Sequence, residues 1–234
     1  RVWQKDLKIG MLPLSINKIF PDLIPTYNVM LASPYDENKL EYPVYAEPKI
    51  DGVRCIAAID TTVSMLTRNG HDLGNFPHIR EALFNSFPPG TVVDGELVSP
   101  QGFQDTMKQV FRKDNIDTSM FCYHIFDVLT ITEFNMGTKT PYVSRLNRRK
   151  EYGKKNRYKG VLIFVPSRFC TDDKMVKETY DLAIAEGYEG LVLKDPEAAY
   201  VQKRSKAWMK VKSDSFGGCV DVDLPVIDYE MGEG

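Results

Sequence analysis

The sequence lacks three features that would each point to a particular class of protein. No apolar run approaches the roughly 20 residues that a membrane-spanning helix needs. Its 4 cysteines form no C-x-x-C pair, which argues against a zinc ribbon or a disulfide framework. The net charge of −2 gives no general attraction for polyanions. We therefore expect a cytoplasmic protein with reduced thiols and no membrane attachment.

What the sequence does contain is typical of a soluble globular domain. Its 234 residues are 43% hydrophobic and 26% charged, enough to form a sizeable core. Two basic runs, residues 145–160 and 202–212, stand out from this balanced background. The first carries two tyrosines and is equally typical of a solvated helix face or of a nucleic-acid-binding surface. The second carries a tryptophan among its lysines, which favours binding.

Extended segments dominate the first half of the sequence. Residues 44–50 and 53–60 alternate like strands and are separated by Asp51-Gly52, a pair common in hairpin turns. Residues 62–68 form a third such run, which Asn69-Gly70 ends. The pattern predicts three short antiparallel strands.

Helices and further strands are predicted along the rest of the chain. Helical spacing indicates helices after Pro77, near 103–111, near 141–151 and at 172–186. Apolar runs indicate strands at 91–99, 120–130, 161–167, 190–195 and 207–212. The mixture predicts an α+β fold with mainly antiparallel sheets flanked by helices.

Charged side chains recur inside these apolar strands. Asp94 and Glu96 lie two residues apart and share one strand face, as do Lys210 and Lys212 with the nearby tryptophan. Carboxylates are costly to bury without a cation, a sugar hydroxyl or a metal ion as partner. Each strand alone is consistent with a salt-bridged edge strand, but several strands deliver charge to one place.

Six short motifs follow one another along residues 49–212. They read KIDGVR at 49–54, TRNG at 67–70, DGELV at 94–98, YHIFDVL at 123–129, EGLVLK at 189–194 and WMKVK at 208–212. Together they resemble the successive motifs of the covalent nucleotidyltransferases, which include DNA ligases, RNA ligases and mRNA capping enzymes. The W-x-K-x-K pattern preceded by KRS resembles ATP-dependent DNA ligases, and the segment before the lysine is similar to ligases of large T-even-type bacteriophages.

The resemblance implies an adenylation domain, ATP-grasp-like, at residues 31–214. Both ends of the sequence look cut, so we expect a central fragment of a longer protein. Residues 1–30 would be the tail of an N-terminal DNA-binding domain, and residues 215–234 the start of an OB-fold domain. We expect a monomer, in the host-cell cytoplasm if the source is viral, that holds AMP but seals nicks poorly without these neighbours.

The resemblance also implies roles for the residues that would hold the nucleotide. Lys49 would attack the α-phosphorus of ATP and form a lysine-AMP adduct with release of pyrophosphate. Glu47 would accept a hydrogen bond from the adenine amino group, which favours ATP over GTP, and Phe126 would stack on the base. Arg54 and Arg68 would contact the ribose or the DNA phosphate.

Charged residues of the later motifs would complete the site. The resemblance assigns Lys194, Lys210 and Lys212 to the phosphates, while Glu96 and Glu189 would hold the ribose or a divalent metal such as Mg²⁺. The implied reaction is the sealing of nicked duplex DNA through enzyme-AMP and DNA-AMP, in replication, repair and recombination.

Three other functions remain open from the sequence. An RNA ligase would share the lysine and carboxylate positions but usually lacks a tryptophan at the place of Trp208. A capping enzyme would use GTP, against which Glu47 argues. A non-catalytic nucleic-acid-binding module would explain the basic runs but leaves Glu96 and Glu189 without a purpose.

Overall fold

The computed structural model describes residue 19 and residues 28–112 and 116–216 of the chain. Ten strands and five α-helices occur in these residues. The strands are β1 Leu31–Pro34, β2 Val44–Pro48, β3 Val53–Ile59, β4 Val63–Thr67, β5 Thr91–Val98, β6 Cys122–Thr130, β7 Leu162–Phe164, β8 Arg168–Cys170, β9 Leu191–Lys194 and β10 Arg204–Val211. The helices are α1 Pro77–Ser86, α2 Phe103–Phe111, α3 Ile131–Met136, α4 Tyr142–Lys155 and α5 Asp173–Ala185.

The strands form two five-stranded sheets. The first sheet has the order β1-β10-β9-β2-β8 and the second the order β4-β3-β5-β6-β7. Pairing is antiparallel except between β1 and β10 and between β6 and β7. The predicted α+β class with mainly antiparallel sheets is confirmed. Within the described residues no helix is long and apolar enough to cross a membrane.

The hairpin predicted at Asp51-Gly52 is wrong. Strand β2 is bonded on both sides by β9 and β8, and β3 on both sides by β4 and β5, so neither has an edge left for the other. The chain instead passes from the first sheet to the second at Asp51-Gly52. A side chain at Gly52 would place its Cβ 2.3 Å from the Leu97 carbonyl oxygen, so glycine allows this close crossing.

Most of the other predicted elements are confirmed with small shifts of their ends. The predicted strand at 161–167 is the exception, since it stops at Phe164 and a separate strand, β8, begins at Arg168 in the other sheet. The flanking segments predicted at 1–30 and 215–234 lie largely outside the described residues, and their boundaries remain predictions. Cys55 and Cys170 are buried free thiols and Cys122 is a half-buried one, whereas Cys219 lies outside the described residues.

Three apolar clusters hold the two sheets and the helices together. One packs α1 against the second sheet through Ile79, Leu83 and Val93, and another packs α5 against the first sheet through Val176 and Val211. The third lies between the sheets and contains Ile50, Ile56, Phe126, Tyr200 and Trp208, among others. Neighbouring residues on one strand point into different clusters, as expected for the period of two along a strand. One face of each sheet therefore borders the space between the sheets.

We expect Gly95→Ala to lower the free energy of unfolding by about 3 kcal/mol, because the atoms next to Gly95 belong to the backbone and to a buried ring and cannot shift without strain. A Cβ there would lie 2.4 Å from the His124 carbonyl oxygen and 2.7 Å from the Tyr123 ring. Gly74→Ala is the matched control, since its Cβ would meet only the end of the exposed Asp72 side chain. Urea unfolding should show a change within about 0.5 kcal/mol for the control. Equal losses in both variants would contradict the steric explanation.

Candidate active site

A cavity of about 340 Å³ opens between the two sheets and brings the predicted residues together. Its lining includes eight of the ten residues singled out from the sequence, namely Glu47, Lys49, Arg54, Arg68, Glu96, Phe126, Lys194 and Lys210. Of the other two, Glu189 joins through an ion pair with Lys49, and Lys212 joins through an ion pair with Glu189. A larger and more open cavity of about 830 Å³ lies beside residues 33–39 and contains none of the ten. We therefore place the functional site in the smaller cavity.

Lys49 comes directly after β2, where the backbone fixes its direction. Its N–H donates to the Gly190 carbonyl oxygen at 2.8 Å, which ties the end of β2 to the start of β9. Its Nζ forms an ion pair with Glu189, and the other carboxylate oxygen of Glu189 pairs with Lys212. Burial alone would raise the pKa of Glu189, but the two lysines hold it below its usual range. One carboxylate thus binds two cations at the mouth of the cavity.

Gly190 makes this arrangement possible. Its φ is 152°, and an added Cβ would lie 2.1 Å from the Val211 carbonyl oxygen. The close approach at this glycine is one of backbone to backbone, where the start of β9 meets the end of β10. It brings Glu189 at the start of β9 next to Lys212 at the end of β10.

A second charged group lies on β3 and β5. The Arg54 guanidinium donates two hydrogen bonds of 2.6 Å to the Asp94 carboxylate, and the Tyr200 hydroxyl donates a third of 2.6 Å to it. Arg54 also lies over the Phe126 ring, with its Cζ 4.5 Å from the ring centroid. The sequence predicts a cation, a sugar hydroxyl or a metal ion as partner of Asp94, and in the structure this partner is Arg54 of the neighbouring strand.

Glu96 faces the cavity with no such partner. It lies directly opposite Arg54 in the β3–β5 pairing, but the Arg54 guanidinium is directed to Asp94. Burial raises the pKa of Glu96 to about 7, although the positive charges of Arg54 and Lys49 oppose this shift. A buried carboxyl group with a raised pKa and no ion-pair partner can bind a cation or accept a hydrogen bond from a hydroxyl group.

Glu47 is buried at the floor of the cavity beside the predicted Lys194 and beside Arg149 and Tyr142, which were not predicted from the sequence. Arg149 donates to Glu47 Oε1 at 2.6 Å, the Tyr142 hydroxyl donates to the same oxygen, and Lys194 Nζ lies 2.7 Å from Oε2. Burial alone would raise the pKa of Glu47, but Arg149 and Lys194 hold it low. Glu47 Oε2 nevertheless has no well-directed hydrogen bond, despite the nearby ammonium.

Two arginines of the first basic run, residues 145–160, fit neither of its two predicted roles, both of which require exposed side chains. Arg145 and Arg149 are buried, the former paired with Asp127 at 3.0 Å and the latter with Glu47. They lie one turn apart on α4 and face the sheet together with Tyr142 and Leu146. Apolar residues and arginines recur together at helical spacing here, and this pattern is the sequence feature from which their burial could have been predicted. Exposed charges of the run, such as Lys154, remain on the surface.

The last strand follows the predicted alternation. Trp208 and Lys210 line the cavity, whereas Met209 and Val211 between them pack on the other side, in the α5 cluster. Arg68 is exposed at the end of β4 and also reaches the lining. A further arginine, Arg204, borders the cavity and donates to the Ala32 carbonyl oxygen at 2.5 Å.

Comparisons with known proteins identify a family and several relatives of this chain. The family model described as "ATP dependent DNA ligase domain" matches residues 29–212. A probable DNA ligase of Dictyoglomus turgidum is 31% identical over 205 residues, covering 80% of this chain and 34% of that protein. The DNA ligase of Enterobacteria phage T4 is 24% identical over 283 residues, covering 97% of this chain and 56% of that protein.

Solved structures show the same fold. The structure named Pmar-Lig_PreS3 is 33% identical with a TM-score of 0.76, covering 89% of this chain and 52% of that chain. Chlorella virus DNA ligase-adenylate is 22% identical with a TM-score of 0.64, covering 81% of this chain and 68% of that chain. The second likeness supports the fold alone.

Two packed antiparallel-rich sheets with a lysine-bearing cavity between them define a ligase-type nucleotidyltransferase domain. The chain belongs to the ATP-dependent DNA ligase domain family, whose model it matches over residues 29–212. It spans 34% and 56% of the length of the two curated relatives named above.

The raised pKa of Glu96 predicts a pH-dependent effect of Glu96→Gln on stability. Because the pKa is about 7 in the folded protein and 4.5 for a free carboxyl group, ionising Glu96 costs folding free energy as the pH rises from 4.5 through 7. Glu96→Gln removes this cost and should stabilise the protein by about 1–3 kcal/mol at pH 8. The gain should disappear near pH 4.5.

Unfolding by urea at pH 8 and at pH 5 measures this difference. The control is Glu41→Gln, because Glu41 is exposed. It should change the free energy of unfolding by no more than about 0.5 kcal/mol at either pH. If Glu96→Gln destabilised the protein at pH 8, the explanation by burial would be wrong.

Proposed function

We propose that this chain transfers AMP from ATP to Lys49 and, within the longer protein, passes the AMP to the 5′-phosphate of nicked duplex DNA to seal the nick. The observation that carries the proposal is a cavity that joins Lys49 to a buried acceptor, Glu47, and to an aromatic wall, Phe126. A reactive amine, a group that reads a base edge and a ring that stacks are what such a transfer requires.

The base end of the cavity favours adenine. Glu47 Oε2 lies 2.7 Å from the Lys194 ammonium, and its second lone pair can accept a hydrogen bond from the adenine amino group, which is a donor. Guanine presents an oxygen at the same position, which would face the carboxylate unfavourably. This is also the argument against a capping enzyme that uses GTP.

The phosphates would lie near Lys49 and the end of β10. The neutral Lys49 amine would form a nitrogen–phosphorus bond at the α-phosphorus, while the bond from that phosphorus to the pyrophosphate oxygen breaks. Lys210 and Lys212 are the cations placed to hold the charged oxygens. Lys194 is a base-side residue in this assignment, because its ammonium binds Glu47 and the Phe126 carbonyl oxygen.

Two carboxylates near Lys49 fit a divalent ion such as Mg²⁺. Glu189 pairs with Lys49, and Lys49 is close enough to oppose the raised pKa of Glu96. The described residues contain no cluster of three or more His, Cys, Asp or Glu side chains that could hold a metal. Mg²⁺ is commonly held by one or two carboxylates together with waters and substrate phosphates, which suits Glu96 and Glu189. When bound, the ion would neutralise phosphate charge.

The ion pairs of Glu189 with Lys49 and Lys212 at the mouth of the cavity affect how the nucleotide enters. In the free protein Glu189 holds the Lys49 ammonium in an ion pair. ATP must therefore replace this pair before the amine can attack. Lys212, which shares the same carboxylate, would move from Glu189 to a phosphate oxygen at that step.

The proposal predicts that labelled ATP with Mg²⁺ leaves a covalent label on the denatured protein, and that GTP and NAD leave none. Lys49→Ala should abolish the label, because no other described lysine occupies the position of Lys49 next to Glu189 and Lys212. The control Lys154→Ala removes an exposed lysine of α4 and should keep full labelling.

The acceptor is tested by adding nicked duplex DNA or nicked duplex RNA to the labelled protein. Transfer of label to the 5′-phosphate of DNA and not RNA supports a DNA ligase. Label that survives in Lys49→Ala would contradict the nucleophile, and label from GTP alone would contradict the role of Glu47.

A further inference from the structure

Beneath the base end of the cavity, two buried cations bind the same two acceptors. Arg149 donates to Glu47 Oε1 at 2.6 Å and to the Phe126 carbonyl oxygen at 2.5 Å. Lys194 lies 2.7 Å from Glu47 Oε2 and donates to the same Phe126 carbonyl oxygen at 3.1 Å. We call Glu47, Phe126, Arg149 and Lys194 the base clamp.

The base clamp connects the two groups that would recognise the base. Glu47 lies on β2 of the first sheet and Phe126 on β6 of the second, so their relative position depends on how the sheets pack. Arg149 reaches both from α4 and is 2% exposed. It is absent from the cavity lining, so it would not touch a nucleotide itself.

The shape of the guanidinium makes Arg149 suited to this task. Its NH1 and NH2 groups donate to different acceptors, and the rigid planar fork sets the separation of those acceptors. A lysine carries the same charge as a point and cannot set that separation. Lys194 supplies such a point charge from the opposite side of the carboxylate.

We propose that Arg149 is a positioning residue for base selection, which holds the Glu47 carboxylate and the Phe126 backbone in the register that accepts adenine. This inference rests on the proposed function, because it assigns a base to the cavity. It adds that selection of the base depends on Arg149, which lies on α4 and outside the cavity.

The neighbouring helical turn offers a matched control. Arg145 is 0% exposed, pairs with Asp127 at 3.0 Å and donates to the carbonyl oxygens of Thr140 and Ala198. None of its hydrogen bonds goes to Glu47 or to Phe126. Substitution of Arg145 therefore disturbs the same helix and a similarly buried ion pair without touching the base clamp.

The test measures formation of enzyme-AMP or enzyme-IMP from ATP and from ITP, in which an oxygen replaces the amino group. For Arg149→Met we expect the KM for ATP to rise about tenfold and the ATP-to-ITP preference in kcat/KM to fall about tenfold. The rate at saturating ATP should stay within about threefold, because Lys49 and its neighbours are unchanged. Arg149→Lys, which keeps the charge, should show the same loss of preference.

The controls separate selection from folding. Arg145→Lys should keep the ATP-to-ITP preference within about twofold, even if its melting temperature falls. Glu47→Gln combined with Arg149→Lys should lose no more preference than Glu47→Gln alone, because both changes act on one contact.

The inference is overturned if folded Arg149→Lys keeps the wild-type preference, or if Arg145→Lys loses as much. Folding is checked by circular dichroism and by the melting temperature of each variant. If the wild-type protein forms no adduct with ATP, the proposed function fails as well. An adduct on the wild type together with unchanged selectivity in the Arg149 variants contradicts only the role of Arg149.

Discussion

The burial of one carboxylate, that of Glu47, places the strongest constraint on this structure. A buried ionised carboxylate is costly unless charged or hydrogen-bonding partners surround it. Here three partners come from two separate elements: Lys194 from β9, and Arg149 and Tyr142 from α4. Satisfying this single group therefore ties α4 to the first sheet, which carries both Glu47 and Lys194. The same contacts shape the floor of the cavity.

The cavity combines satisfied charges with unsatisfied ones. Arg54 with Asp94, and Glu189 with Lys49 and Lys212, are already paired in the free protein. Among the described residues Glu96 lacks an ion pair and has a raised pKa, and Glu47 Oε2, although paired with Lys194, has a second lone pair that a donor of a ligand can use. In the proposed function, nucleotide binding would exchange these internal ion pairs for contacts with phosphates. Such exchange favours a charged ligand over a neutral one.

Local patterns predicted most of the elements but misjudged two long-range features. The helix after Pro77, the strand at 91–99 and the helix at 103–111 follow from periodicity and from turn residues close by. The hairpin at Asp51-Gly52 failed because turn chemistry does not say whether the edges of the flanking strands are free. The arginines of α4 were assigned to a surface because charge is usually solvated, whereas distant carboxylates make their burial possible.

The sequence by itself determined the alternation of the strands, the class of fold and the motif residues around Lys49, since these depend on neighbours within a few positions. Only the tertiary structure decided which charges pair. Lys194 lies beside Glu47 and Arg54 beside Asp94 because strands that are distant in the sequence pair within one sheet. Arg149 reaches Glu47 across 102 positions of the chain, a separation that no local pattern encodes. The physical reason is that burial of charge is a property of the packed whole, and only packing shows where each partner lies.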